Sequence, residues 1–315
     1  MPNSTTFISI VIPTFRRPHF VGPLIEALQA QVHESRQLSG KVEILVVDNC
    51  PELSAKNAFE KIEDDLQGNF IATRYLSEPR LGVAHARNHG VVHARGQYIL
   101  FIDDDETPAS GWLSAFTKAA YDDVDAAFGR IEPNFASSPP SEISEALKVM
   151  FSRQLSAPSG ANITSHRAWL GTGNSMFRRE SLTATTPLFD TRFNGGGEDV
   201  ELLRRLAAQG MSFTWCPGAL VFEHVPSDRM TYEYVAARKF HDGQLRCVVE
   251  AEAKTLSASV TVATWMFVGL VQIITYSSLA VLLYPFDSGK FNTLCLKVHG
   301  GWGKLMWWRH PSRFA

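Results

Sequence analysis

The chain has 315 residues, 45% of them hydrophobic, and a formal net charge of −2. This apolar content is enough for a large core, and the slightly acidic charge argues against a nucleic-acid-binding protein. The four cysteines (Cys50, Cys216, Cys247 and Cys295) form no C-x-x-C pair. Free thiols in a reducing compartment are therefore favoured over a disulfide framework or a structural zinc site.

The length allows either one large α/β domain with an appendage or two domains. The first residues, Met-Pro-Asn-Ser-Thr-Thr, have neither a charged n-region nor an apolar h-region. We therefore expect no secretory signal and a protein body that stays in the cytoplasm.

Strands and helices alternate in the first third of the chain. Apolar runs predict strands at residues 7–12, 42–47, 70–76 and 98–102. Between them, the pattern predicts one helix that ends near residue 31 and two more at 54–66 and 80–94. The β-α-β order predicts a parallel sheet with right-handed crossovers. No G-x-G-x-x-G follows a strand, which excludes the usual dinucleotide-binding site.

The fourth predicted strand runs directly into four acidic residues, Asp103, Asp104, Asp105 and Glu106. Three crowded aspartates repel one another, and a hard divalent cation carrying a phosphate would neutralise them. The alternative is an acidic turn before a helix, with Glu106 as a helix-entry charge. Because side chains alternate along an extended segment, we expect Asp104 to point into the fold or toward solvent.

Two more side chains are candidates at the same sheet edge. Asp48 ends the second strand, so it would meet the later aspartates and could accept hydrogen bonds from a base or ribose. Arg87 lies near the start of the helix before the acidic strand and could bind phosphate with its planar fork. The alternative for Arg87 is a helix-surface arginine in a local ion pair.

The middle of the chain predicts further short elements. These are a strand at 126–131, a helix at 141–155, a glycine-bearing turn at 169–179 that leads into a strand, strands at 211–215 and 219–222, and a helix at 232–252. Three glycines at 195–197 precede Glu198 and Asp199, which open a predicted helix. The two carboxylates could cap that helix and interact with its dipole, or one could act as a general base.

Four motifs in chain order resemble the signatures of family 2 glycosyltransferases, and within them the ExoM-like succinoglycan glucosyltransferase group. They are Ile-Pro-Thr-Phe-Arg-Arg at 12–17, Val-Val-Asp-Asn at 46–49, Ala-Arg-Asn at 86–88 and Phe-Ile-Asp-Asp-Asp at 101–105. The resemblance covers about residues 7–245. It implies an α/β GT-A fold, Rossmann-like, with a mostly parallel central sheet flanked by helices.

The resemblance also implies a donor site. The donor would be a nucleotide-diphosphate sugar, with a UDP-sugar favoured, and the cofactor a divalent cation, Mn²⁺ or Mg²⁺. Asp103 and Asp105 match the outer positions of the metal-binding D-x-D motif, and Asp105 is the stronger candidate for direct metal contact. The residues assigned to nucleotide-sugar binding are Pro13, Thr14, Arg16, Asp48, Arg87, Asp103 and Asp104.

An acceptor site follows from the same resemblance. Asp199 matches the general base, and Glu198 would orient it or bind the acceptor. The residues assigned to acceptor binding are Trp169, Gly173, Asn174 and Arg238. Trp169 could stack on a sugar or belong to the core, and Arg238 resembles, with Gln244, a region that closes over donor phosphates.

His224 is a candidate third metal ligand, because a late histidine completes the metal site in many GT-A enzymes. The group often has His-Glu at this place, whereas this chain has Glu-His. An ordinary loop histidine is the alternative.

The C-terminal part contains 32 residues without a charge, from Thr255 to Phe286. The stretch is long enough to span a bilayer, and it could also be a re-entrant hairpin or a buried core helix. Residues 287–315 carry five basic side chains against Asp287 alone and include Trp302, Trp307, Trp308 and Phe314. Basic and aromatic residues together favour a membrane interface.

These observations predict four regions. Residues 1–225 form a GT-A catalytic domain, with a nucleotide-binding half at 1–106 and an acceptor-binding half at 107–225. Residues 226–254 form a connecting helix, 255–286 a membrane-associated helix or hairpin, and 287–315 a basic aromatic interfacial tail.

The predicted function is an inverting glycosyltransferase at the cytoplasmic face of the inner or plasma membrane. Its acceptor would be lipid-linked or another glycan, in polysaccharide or glycolipid biosynthesis. A catalytically silent sugar-nucleotide-binding scaffold is the alternative, and a soluble nucleotidyltransferase would instead release pyrophosphate. A processive synthase is disfavoured by the single apolar stretch and the lack of a Q-x-x-R-W motif.

Overall fold

The structure is a computed structural model that describes residues 7–35, 38–65, 71–193, 195–284, 286 and 288–310. The chain divides into two compact units. Unit 1 comprises residues 1–132, 153–194 and 198–223, and unit 2 comprises residues 133–152, 195–197 and 224–315. Predictions for Phe70, Asp287, Arg313 and Phe314 lie outside the described residues.

Eight strands form one mixed sheet in the order β3-β2-β1-β4-β7-β6-β8-β5. The strands are β1 Ile8–Thr14, β2 Val42–Asp48, β3 Ala72–Ser77, β4 Tyr98–Phe101, β5 Glu106–Pro108, β6 Ala126–Phe135, β7 Ser175–Arg178 and β8 Phe213–Val225. β1 pairs in parallel with β2 and β4, and β2 with β3. The carboxyl ends of these four strands therefore meet at one edge, as the sequence predicts.

Three pairings that involve the later strands are antiparallel. β7 pairs with β4 and β6, and β5 pairs with β8. Two expectations are corrected here. The strands predicted at 211–215 and 219–222 are one continuous strand, and Glu106 begins β5, opposite Glu223, instead of entering a helix.

Ten α-helices are described in the two units. They are α1 Pro18–Glu34, α2 Lys56–Asp65, α3 Val83–His93, α4 Trp112–Tyr121, α5 Ser144–Met150, α6 Arg179–Thr183, α7 Glu198–Ala208, α8 Tyr232–Ala251, α9 Leu256–Leu283 and α10 Ser288–Leu305. The helix predicted at 141–155 is shorter than expected, because α5 ends at Met150 and Arg153 forms a bridge to Ile131.

Both faces of the parallel strands are buried, as expected for a sheet covered by crossover helices. Along β1, Ile8, Ile10 and Ile12 pack in one apolar cluster, while Val11 packs in the cluster on the opposite face. α3 approaches the sheet closely at Gly90, where a Cβ atom would lie 2.4 Å from Cγ1 of Val11. This close approach sets the position of the α3 side chains one turn away.

Unit 2 contains α5, α8, α9 and α10. Its apolar cluster includes Ile143, Leu147, Val235 and Leu296. α9 is a continuous helix of 28 residues, long and apolar enough to cross a membrane by length and composition.

Candidate active site

The acidic residues after β4 are held by the chain segment that follows β1. Asp104 is buried and accepts hydrogen bonds from Thr14 Oγ1 at 2.8 Å and Arg17 Nη1 at 3.0 Å. Arg17 Nη1 also lies 2.7 Å from Oδ2 of Asp105. Burial and the neighbouring Asp105 raise the pKa of Asp104 to about 6, against the opposite effect of Arg17. Asp104 therefore points into the fold, as the alternation of side chains predicts.

Arg87 connects the loop after β4 to the start of α7. Its Nη2 atom lies 3.2 Å from Asp103 Oδ1, and its Nη1 atom lies 2.6 Å from Glu198 Oε1. Its guanidinium also lies 5.8 Å from the ring centroid of Phe189. Burial lowers the pKa of Arg87, but Asp103 and Glu198 more than offset this, so the pKa is raised.

The burial of Arg87 corrects the surface alternative. Arg87 is only 5% exposed, and its partners are 16 and 111 residues away in sequence. The structure thus excludes an arginine on a helix surface in a local ion pair. The phosphate contact stays a prediction, and it would compete with two carboxylates that already bind the guanidinium.

Glu198 is the buried member of the acidic pair at the start of α7. Burial and then Asp199 raise its pKa to about 7, although Arg87 lowers it. Among the described residues, neither Glu198 Oε2 nor Arg87 Nε has a hydrogen-bond partner. Two unsatisfied polar atoms of one ion pair mark a place where water or a ligand hydroxyl would be stabilised.

Asp199 is half-buried and lies beside the glycine loop, residues 171–173. A Cβ atom on Gly171 would lie 3.2 Å from Asp199 Oδ2, and one on Gly173 would lie 2.6 Å from Asp103 Oδ2. The glycine loop therefore contacts both acidic motifs, one with each of its glycines. Glycine at these two places leaves room for the carboxylates.

Arg153 fixes the position of the glycine loop through hydrogen bonds to backbone carbonyls. Its guanidinium donates to four backbone carbonyls: Gly129 at 2.8 Å, Gly171 at 2.8 Å, Gly173 at 2.7 Å and Asn174 at 2.6 Å. Burial lowers the pKa of Arg153 to about 10, so the side chain stays charged at neutral pH. The sequence carried no local signal for this role, because Arg153 lay within the helix predicted at 141–155.

Asn174, which the resemblance assigns to acceptor binding, is a buried residue directly after the glycine loop. Its Nδ2 donates to Arg130 O and Ala219 O, its Oδ1 accepts from Trp112 Nε1, and its φ is +47°. The fully buried amide has a partner at each end. These contacts give the side chain a role in supporting the glycine loop, and direct acceptor binding by it stays a prediction.

Asp48 shapes the turn after β2. Its fully buried carboxylate accepts hydrogen bonds from Cys50 N, Ala55 N and Tyr75 Oη. Burial and the hydrogen bond to Asp48 raise the pKa of Tyr75. A contact between Asp48 and a nucleotide base stays a prediction, and it would require the carboxylate to exchange a protein donor or share an oxygen.

The other donor-side residues differ in exposure. Pro13 is buried in β1 opposite Val47. Arg16 has a positive φ of 55°, and its exposed side chain lies 3.5 Å from Glu52. Arg16 is therefore accessible to a ligand, whereas Pro13 could contribute only through its backbone.

Trp169, His224 and Arg238 complete the predicted set. Trp169 is 76% exposed, so the core alternative is wrong, and sugar stacking stays a prediction. His224 lies within β8, and Arg238 lies on α8, 3.3 Å from Asp242. Both belong to unit 2, and their ligand roles stay predictions. Among the described residues, no three His, Cys, Asp or Glu side chains are grouped so as to hold a metal ion.

Glu106 is a residue whose role the sequence analysis missed. Its buried Oε2 accepts a hydrogen bond from Asp103 N at 2.9 Å. Burial, followed by Asp103, raises the pKa of Glu106 well above its usual value. Glu106 thus fixes the backbone that presents Asp103 instead of entering a helix.

Replacing Arg153 tests the support of the glycine loop. We expect Arg153→Lys to lower the free energy of unfolding by about 2–5 kcal/mol, because one ammonium cannot reach four carbonyls and leaves buried acceptors unpaired. Thermal unfolding followed by circular dichroism measures the change. The control is Arg167→Lys at an exposed position, where we expect less than about 0.5 kcal/mol. A wild-type midpoint for Arg153→Lys would contradict this role.

The raised pKa of Glu198 makes stability depend on pH. Its folded-state value of about 7 exceeds the usual value near 4.3, so the folded chain retains a proton that the unfolded chain releases. Stability from this group is therefore lost as pH rises between about 4.3 and 7. The Glu198→Gln variant has no titrating group at this position. We therefore expect the melting temperature of the variant minus that of wild type to become more positive as pH rises from 5 to 8. A difference in melting temperature that does not vary with pH would contradict the assignment.

Comparison with known proteins identifies the family. The sequence model of glycosyl transferase family 2 matches residues 9–184. Succinoglycan biosynthesis protein ExoM of Rhizobium meliloti (strain 1021) is 26% identical over 246 residues, which are 78% of this chain and 75% of that protein. The GalNAc(5)-diNAcBac-PP-undecaprenol beta-1,3-glucosyltransferase of Campylobacter jejuni is 27% identical over 124 residues, which are 39% of this chain and 37% of that protein.

The fold is also that of a solved glycosyltransferase. The mannosyltransferase PcManGT from Pyrobaculum calidifontis, in complex with GDP-Man and Mn²⁺, superimposes with a TM-score of 0.59 at 18% identity. The match covers 98% of this chain and 90% of that one. The expected GT-A fold is thereby confirmed. Since the family match extends from β1 to the end of α6, over more than half of the residues, the chain belongs to glycosyl transferase family 2.

Proposed function

We propose that the protein transfers a sugar, with inversion, from a nucleotide-diphosphate sugar to a hydroxyl of a lipid-linked acceptor in polysaccharide or glycolipid biosynthesis. A UDP-sugar is the favoured donor. Family membership supports sugar transfer, and the two relatives are named for succinoglycan biosynthesis and for glucosyl transfer to an undecaprenol-linked glycan. The proposed setting is the cytoplasmic face of the inner or plasma membrane.

The glycine loop is the observation that carries the proposal. Gly173 lies against Asp103, the donor-side aspartate, and Gly171 lies against Asp199 at the start of α7. A substrate that contacts this loop would have a carboxylate on each side. This arrangement suits a reaction in which donor and acceptor meet between two acidic groups.

Asp199 is the better general base of the acidic pair. Glu198 is buried and ion-paired with Arg87, whereas Asp199 is half-buried and its Oδ2 lies beside Gly171. Glu198 would orient the start of α7 through Arg87, and its unsatisfied Oε2 could accept a hydrogen bond from an acceptor hydroxyl.

In the proposed reaction, proton transfer to Asp199 accompanies the exchange of bonds at the anomeric carbon. Asp199 takes the proton of the acceptor hydroxyl while that oxygen forms a bond to the anomeric carbon of the donor. The bond from the anomeric carbon to the diphosphate breaks, and its electron pair leaves with the nucleoside diphosphate. Attack opposite the leaving group inverts the configuration.

Asp103 and Asp105 would hold the divalent cation, Mn²⁺ or Mg²⁺. The fit rests on two hard carboxylate donors at one loop, the 37% exposure of the Asp103 side chain, and the space that Gly173 leaves beside its Oδ2 atom. Mg²⁺ is commonly bound by one or two carboxylates together with substrate phosphates and water. When bound, such a cation supplies Lewis-acid stabilisation of the departing diphosphate.

The remaining assignments complete the proposal. Arg16 and Arg87 would contact the donor phosphates and Asp48 the base. Thr14 and Asp104 would contribute to nucleotide-sugar binding by supporting the aspartate loop. Trp169 would stack on the acceptor, Arg238 would bind the acceptor, and His224 would be a further metal ligand.

Donor binding should be visible as metal-dependent thermal stabilisation. At a ligand concentration of 100 times the Kd, we expect a gain of about 2.7 kcal/mol, because the donor binds only the folded chain. A panel of UDP-, GDP- and dTDP-sugars, each with Mn²⁺ and with EDTA, would identify the donor by differential scanning fluorimetry. Asp64→Asn, at an exposed position of α2, should behave like wild type. Equal midpoints under all conditions would contradict a nucleotide-sugar site.

Two substitutions separate donor binding from chemistry. We expect Asp199→Asn to lower the transfer rate by about 10²–10⁴-fold while keeping donor-induced stabilisation, and Asp105→Ala to lose both. Release of the nucleoside diphosphate in the presence of membrane lipid extract measures transfer. Wild-type rates in both variants would refute the mechanism, and a wild-type protein that binds donor without any transfer would be a silent scaffold.

A further inference from the structure

α9 has one face that no described residue covers. Val260, Phe267, Val271, Ile274 and Val281, here called the outer stripe, are each at least 45% exposed. Their spacings of seven, four, three and seven residues place them on one side of the helix. The helix is about 42 Å long, at about 1.5 Å per residue. The outer stripe is therefore a long apolar surface, of a kind that normally marks an interaction site.

Four hydroxyl groups on α9 donate to backbone carbonyls four residues earlier in the chain. Thr264 and Ser278, which lie close to the outer stripe, donate to Val260 O and Ile274 O. Ser259 and Thr261 donate in the same way to carbonyls four residues earlier. This face can therefore enter hydrocarbon without leaving these donors unpaired.

The opposite side of α9, here called the inner seam, packs along its length against α8 and α10. Ala258, Val262, Gly269 and Ala280 are its buried residues. At the middle, a Cβ atom on Gly269 would lie 2.8 Å from Gly301 O in α10, so the two backbones touch. α9 thus packs against two other helices of unit 2.

Three cations lie against the middle of the inner seam. Arg246 of α8 lies 5.9 Å from the Trp265 ring centroid. From α10, Lys297 Nζ lies 5.1 Å from the Tyr276 ring centroid and Lys304 Nζ lies 3.0 Å from Gln272 Oε1. If α9 crossed a bilayer, these charges would be carried to its centre, at about 2.5–3.5 kcal/mol or more for each.

We propose that α9 lies in the plane of an anionic bilayer surface, with the outer stripe in the lipid and α8 and α10 on the aqueous side. Charge supports an anionic surface, because the sequence from residue 253 to 315 has six basic residues and one acidic residue, Asp287. The exposed Trp302 and Trp308 of the same unit suit a headgroup interface. The membrane setting rests on the proposed function, but the inference goes beyond it by excluding a span, and its test needs no substrate.

Flotation of the full chain with liposomes tests the outer stripe. We expect binding to phosphatidylcholine vesicles that contain phosphatidylglycerol, weaker binding without it, and a loss of at least about tenfold in Val271→Asp/Ile274→Asp. The control is Val149→Asp, 68% exposed on α5 of the same unit, which should bind like wild type. Melting temperatures and donor-induced stabilisation should be unchanged in both. Wild-type flotation of the double variant, or no flotation of wild type, overturns the proposal.

Cysteine labelling separates the in-plane helix from a span. Ser257→Cys and Phe286→Cys lie near opposite ends of α9, and wild type gives the background from its four native thiols. With a membrane-impermeant maleimide, we expect both variants to react in inverted membrane vesicles and neither in intact spheroplasts. Reaction of one variant in each preparation would show a span and overturn the proposal, while donor binding and transfer would remain independent tests of the proposed function.

Discussion

The buried Arg87 is the contact on which the rest of the site depends. Its two terminal nitrogens bind Asp103, which follows β4, and Glu198, which begins α7. Removal of one partner of a buried pair leaves an uncompensated charge, at about 3–5 kcal/mol. A lysine could not replace it, because one ammonium lacks the planar fork that reaches two carboxylates. The donor-side loop and the proposed catalytic helix are thereby joined through a single side chain.

A second arginine, Arg153, fixes the backbone of the glycine loop, as Arg87 fixes the two carboxylates. Arg153 binds four carbonyls around the glycine loop, and the buried amide of Asn174 ties the end of that loop to β6 and β8. The loop can therefore lack side chains at Gly171 and Gly173 and still keep its position. This matters because the distance between a base and a reacting hydroxyl must be held closely for efficient transfer.

The sequence predicted what depends on local pattern. The first four strands, the long helices α1 and α8, and the acidic ends of β2 and β4 all follow from apolar runs and the residues that interrupt them. It did not predict the partners of Arg87, Arg153 and Glu106, because each lies far away in sequence or acts on backbone groups. Asn174 shows the same limit. The resemblance assigned it to acceptor binding, and no local pattern indicated its left-handed φ or the three hydrogen bonds that its side chain makes in the core.

α9 shows how composition alone hides orientation. A stretch apolar on all sides fits a bilayer span, but it equally fits a helix with protein on one side and lipid on the other. The spacing of Ala258, Val262, Gly269 and Ala280 already follows a helical seam, with small residues where another backbone can approach. What the sequence could not supply is the partner of that seam. Because Lys304 of α10 lies beside Gln272 near the middle of α9, a span would carry this cation into the bilayer, so α9 is better placed along a membrane than across it.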